Sequence, residues 1–197
     1  MKTAVRRRGT MVPMLGICCT ALFMFVALAV DLGMLTVART QCQNAADAAA
    51  LVGCRNLDNK PSASSTYHNN SVAAVAAAKD VFTGNYLMNG SFATATHLQT
   101  LKLGVYNYDT TNQRFDVGSF SADQSQAAAG AAVGSAGTGQ NWTAVEVRTQ
   151  TTQPTFFARV FGVNSMQTEA KAVAVHKPRD IAFVLDLTGS MGESTQV

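Results

Sequence analysis

The stretch MVPMLGICCTALFMFVALAV, residues 11–30, contains no charged side chain, and its reading decides how the rest of the chain is organised. About 20 apolar residues at roughly 1.5 Å rise each match the roughly 30 Å hydrocarbon core of a bilayer, so a transmembrane helix is predicted here. Pro13 falls in the first turn, where a missing N–H costs little. Lys2, Arg6, Arg7 and Arg8 precede the run, and the first charge after it is Asp31. The positive-inside rule then makes residues 1–10 a cytoplasmic tail and puts everything beyond Asp31 outside. A cleaved signal peptide shares the basic start, and Ala27-Leu28-Ala29 would serve as its cleavage box. Its apolar core normally runs only about 7 to 15 residues, however, which favours a retained anchor. A lipoprotein signal would want a small residue before Cys18, where Ile17 stands.

Outside the span the charge balance is unremarkable. Setting Lys2 and the three arginines aside leaves 11 of the 15 basic residues against 12 acidic ones. Nothing in that balance suggests a nucleic-acid surface, and topology accounts for the arginine cluster. The 47% hydrophobic content is enough for a core.

Residues 31–55, DLGMLTVARTQCQNAADAAALVGCR, continue the helix in alanine-rich sequence. Leu32, Leu35, Ala38 or Arg39, Cys42, Ala45, Ala49 and Val52 recur at steps of three or four, giving one apolar stripe. Span and stripe together predict an amphipathic stalk prolonging the membrane helix, roughly 65 Å in all. Its stripe is a possible seam for a second copy. Cys18 and Cys19 lie within the span, and Cys42 and Cys54 on the stalk. The last two stand about 18 Å apart by rise, beyond disulfide reach within one helix. They are ordinary seam positions or a cross-link to a neighbouring copy.

Arg8-Gly9, the span ending in Val30-Asp31, Arg39, and the string from Gln43 to Ala50 resemble the N-terminal region of bacterial TadE/TadG-like Flp (tight-adherence) pilus-assembly proteins. Met14 stands where prepilin-type processing after Gly9 would want a glutamate, which places the resemblance with the TadG-like branch. The resemblance implies a single-pass protein of the bacterial inner membrane with a structural role, partnered by other pilus-assembly or envelope proteins.

Residues 56–178 are predicted to form an extracytoplasmic α+β region. Asn56 to Asn70 reads as a loop. A helix from Val72 to about Leu87 follows, capped by Ser71, with Val75, Phe82 and Tyr86 as its packing face. Leu101, Leu103 and Val105 alternate with Lys102, Gly104 and Tyr106, and a turn at Asp109 to Asn112 leads to a second strand from Arg114 to Val117. Ser121 to Gln140 contains GAAVGSAGTGQ without the Gly-Lys-Ser/Thr of a phosphate loop, and reads as a flexible connection. Strands are predicted at Trp142 to Thr149 and Ser165 to His176. Between them, Pro154 to Gly162 is read as a short helix turning Phe156, Phe157, Val160 and Phe161 toward a core. His68, His97 and His176 have no ligand spacing, and no catalytic dyad or triad can be assembled; no enzyme is expected.

From Arg179 an apolar run, Ile181 to Leu185, reads as a strand buried on both faces. Asp186, Thr188 and Ser190 follow it as D-x-T-x-S, an oxygen-rich pattern suited to a hard cation. The pattern resembles the opening of a von Willebrand factor type A domain, an α/β (Rossmann-like) fold with a metal-ion-dependent adhesion site. An intact domain would hold Mg²⁺ with further ligands from later loops, so residues 179–197 are expected to be an incomplete start that binds no cofactor by itself. Metal-dependent adhesion through such a domain is the alternative function.

Overall fold

The computed structural model describes residues 11–57, 70–88, 90–128, 130–134 and 141–176. The type A segment with Asp186, Thr188 and Ser190, the N-terminal tail and His68 lie outside these residues.

Helix α1 runs without a break from Met11 to Arg55. Its first half is exposed on all sides and is long and apolar enough to cross a membrane. Its second half is one-sided. Ala38, Cys42, Ala45, Ala46, Ala49, Ala50 and Cys54 are buried, and Leu32 and Leu51 face outward. The chain then forms α2 (Ser71–Gly84), a small antiparallel pair of β1 (Tyr86–Leu87) and β2 (Gly90–Ser91), and the single turn α3 (Thr94–His97). Four longer strands follow: β3 (Leu98–Asp109), β4 (Arg114–Phe120), β5 (Ala144–Pro154) and β6 (Ser165–Val175). They make one antiparallel sheet in the order β4-β3-β5-β6. This is an α+β arrangement, with the sheet and α2 packed on the second half of α1.

The alanine-rich string of α1 is therefore an inner face. Small side chains let two layers approach one helix closely. At Gly53 an added Cβ would stand 3.1 Å from the Ala78 Cβ and 3.4 Å from the Ala74 carbonyl, so α1 and α2 touch almost backbone to backbone. The stripe predicted to be a seam for a second copy is filled by the chain's own strands and α2. Residues 31–55 are the central helix of the body, not a stalk beneath it. Cys42 and Cys54 are buried free thiols, and burial pushes both up to about 11. Neither is placed to cross-link a neighbour.

The hairpin of β3 and β4 forms as its alternation predicts. Asp109 accepts N–H bonds from Thr111 at 2.8 Å and Asn112 at 3.2 Å to close the turn. Beside the irregularity in the β3–β4 pairing, a Cβ at Gly104 would fall 2.4 Å from Val117 Cγ1, so a larger residue here would force Val117 to shift. On α2, Val75 and Phe82 are buried as predicted, but Tyr86 is exposed and Ser71 makes no capping bond.

The segment after β4 differs from its reading as a free connection. Ser121 and Leu103 exchange bonds, with Ser121 N–H to the Leu103 carbonyl at 2.7 Å and Leu103 N–H to Ser121 Oγ at 3.0 Å. Leu101 N–H reaches Asp123 Oδ1 at 2.9 Å, and Lys79 Nζ reaches the Ala127 carbonyl at 2.7 Å. Glycine-rich composition suggested freedom, and side-chain to backbone bonds remove it from Ser121 to Ala127.

Candidate functional site

Strand β5 descends along α1 toward the apolar half of that helix. Cys54 Sγ lies 4.0 Å from the Thr143 carbonyl near the top. Cys42 meets the Thr149 side chain midway. Asp31 meets Phe156 at the bottom. The spacing is consistent with simple geometry, since 12 helical residues and six strand residues each cover about 18 to 20 Å. The β5–β6 hairpin therefore points its tip at the apolar half of α1.

That tip is Thr155 to Asn164. Asp31 is the first residue beyond the apolar run and is only 3% exposed. It accepts the N–H groups of Phe156 at 2.9 Å, Phe157 at 3.1 Å and Ala158 at 2.6 Å. Desolvation acts to raise its pKa, but the bonds from Ala158, Phe156 and Phe157 outweigh it and hold the carboxyl below its ordinary value. Several further backbone groups of the tip are paired within it. Val160 N–H bonds to the Phe157 carbonyl, Gly162 N–H to Arg159 and Val163 N–H to Ala158, each near 3.0 Å. Thr155 bonds Asn164 through its N–H and Val163 through its hydroxyl. Gly162 closes the turn at φ 84°, a left-handed conformation that suits glycine.

The tip is a 3-10 turn, Ala158–Phe161, as a short helix was expected there. Its side chains do not enter the core. Phe156 is 64% exposed, Val160 83% and Phe161 67%. Phe157, Val160 and Phe161 instead stand across an open groove of about 360 Å³ from Thr20, Phe23 and Met24 of α1. The physical reason is that the sheet and α1 already close the core above Asp31. The tip extends beyond that core, alongside the apolar half of the helix.

Residues 9–63 match the family model described as "Putative Flp pilus-assembly TadE/G-like". The TadE/G-like segment thus includes all of α1, with Asp31 and the small-residue inner face of the body. No curated protein and no solved structure matches the chain. The matched segment supplies both the apolar half of α1 and, from Asp31 onward, the face on which the sheet and α2 pack.

A second polar cluster lies on the outer face of the sheet. Glu146 is buried between Arg148 and Lys171, each at 2.9 Å. Desolvation works against its charge, but Lys171 and Arg148 prevail and hold its pKa below the ordinary value. Of the histidines, His97 and His176 are described and lie apart in the chain, at the end of α3 and just after β6. His97 Nδ1 accepts the Ala93 N–H at 3.0 Å, and the His176 N–H bonds the Thr143 carbonyl at 2.7 Å. Among the described residues no three His, Cys, Asp or Glu side chains gather as a metal site.

In the sequence Asp31 stands out as the first charge after the span and as part of the Val30-Asp31 string of the family resemblance, and Phe156 to Phe161 reads only as core. The usable signal was a run of four large apolar residues in a turn ended by Gly162, a composition unusual for a loop facing water.

Proposed function

We propose that this chain is a single-pass envelope protein of the bacterial inner membrane, with its N-terminus cytoplasmic, its body outside, and a structural role in assembling or anchoring a Flp (tight-adherence) pilus. The observation that carries this reading is the division of α1 inside the TadE/G-like segment. Residues 11–30 expose apolar side chains all round, and the half beginning at the buried Asp31 is the spine of a folded body. A helix apolar on every face finds its solvent in lipid, and the arginine cluster before it gives the orientation. The partners are other pilus-assembly or envelope proteins, and the role involves no chemistry of its own.

A reporter active only outside the cytoplasm, fused after Gly118, is expected to be active, with the protein retained in membranes after salt washing. Co-purification with pilus-assembly components tests the role, and a soluble form starting at Val30 would overturn the anchor. A second reading, metal-dependent adhesion, rests on the D-x-T-x-S pattern of Asp186, Thr188 and Ser190. Mg²⁺-dependent ligand binding lost in Asp186→Ala would favour it.

A further inference from the structure

We infer that the β5–β6 tip, Phe156 to Val163, is a second membrane-inserted element that sits in the outer leaflet beside α1, with lipid acyl chains filling the groove between them. The inference rests on the reading of α1 as a membrane span.

Three observations converge on it. The tip exposes Phe156, Phe157, Val160, Phe161 and Val163 together, from 42% to 83% each. A cluster of that kind on one short turn marks an interaction surface. Its position selects the partner. Phe157, Val160 and Phe161 face α1 residues between Thr20 and Ala27, which lie about 6 to 16 Å below Asp31 by helical rise. With the span centred in a hydrocarbon core of roughly 30 Å, that interval is the outer leaflet. Whatever bathes this part of α1 also bathes the tip.

Backbone chemistry supplies the third observation. Irregular backbone is tolerated at membrane depth only where its N–H and C=O groups are satisfied internally. Asp31 takes three N–H groups at the entry to the tip, and the turn's own carbonyls take those of Val160, Gly162 and Val163. Arg159 is exposed between the apolar side chains, and its long stem lets the guanidinium reach up to anionic headgroups while its neighbours stay below. Lipid fits both features, because it offers acyl chains and phosphate side by side.

The test uses the full chain with Phe161→Trp, and separately Val160→Trp, in vesicles of phosphatidylethanolamine and phosphatidylglycerol whose acyl chains carry bromine at defined depths. Both positions are largely exposed, so neither substitution disturbs the fold. The native Trp142 is buried and adjoins Thr143, which meets Cys54 about 35 Å above Asp31, so it serves as an unquenched background. The expected result is that the vesicles float with the protein and that bromine quenches the added emission by roughly half or more, most strongly at outer-leaflet acyl depth. Floating protein whose new tryptophan is quenched only by aqueous acrylamide would overturn the inference while leaving the span intact. Floating protein shielded from both quenchers would assign the face to a second copy and overturn it equally. Protein that does not float would overturn the anchor itself.

Discussion

Asp31 Oδ2 accepts the backbone N–H of Ala158 at 2.6 Å across 127 residues of sequence. This contact, with those to Phe156 and Phe157, joins the point where α1 leaves its apolar half to the tip of the β5–β6 hairpin. The apolar half of α1 and the sheet are thus tied at Asp31 as well as through the core, so the body is held at a set distance from that half of the helix.

Removing the acceptor should release the tip. In Asp31→Ala three N–H groups lose their partner, and amide exchange of Phe156 to Ala158 is expected to quicken on the order of tenfold or more, while exchange in β3 stays unchanged. Asp31→Asn keeps one acceptor oxygen and should fall between. Equal exchange in all three proteins would mean that the carboxylate does not hold the turn.

The close approach at Gly104 predicts a compensating pair. Gly104→Ala puts a methyl 2.4 Å from Val117 Cγ1 and should destabilise the body by about 1 to 3 kcal/mol. Adding Val117→Ala should recover much of that loss. Denaturant midpoints of the two single variants and the double variant measure the coupling, and simple additivity would contradict the geometry.

Buried thiols at Cys42 and Cys54, both pushed up to about 11, should resist an aqueous maleimide at neutral pH. Labelling is expected only after denaturation, and non-reducing gels should show no dimer through these residues. Rapid labelling of either thiol in the native protein would show that the inner face of α1 opens.

Acid should weaken the body in a defined window. The folded pKa of Glu146 lies below its ordinary 4.5, so its ion pairs contribute fully above that value and are lost as pH falls through the lower folded one. Asp123, held down by the N–H groups of Leu101 and Ser125 against desolvation, acts in the same direction from 3.8 downward. The melting midpoint should be flat between about pH 7 and 5 and fall below about pH 4.5. Glu146→Gln should cost only about 1 kcal/mol at neutral pH, because both cations are half-exposed and screened, and should soften the acid limb. A midpoint that rises on acidification would contradict this.

Replacing Ala45 and Ala49 with Asp should prevent the body from folding, because both side chains are buried within one chain and an unpaired charge there is costly. Protease resistance of the body reports it. A folded, protease-resistant double variant would return the stripe to the role of a seam between copies.

By itself the sequence determined what local periodicity can carry. Uninterrupted apolarity gave the first half of α1, three-and-four spacing gave the inner stripe of the second half, and alternation around Asp109 gave the β3–β4 hairpin. Tertiary structure alone decided which apolar surfaces the chain itself covers. The stripe at Cys42, Ala45 and Ala49 has the same period whether it meets a second helix or the chain's own sheet. Phe156 to Phe161 has the same composition whether it enters a core or stands outside it. Asp31 carries no local mark of its role, because its partners are backbone N–H groups more than 120 residues away, and a backbone donor has no residue identity to read.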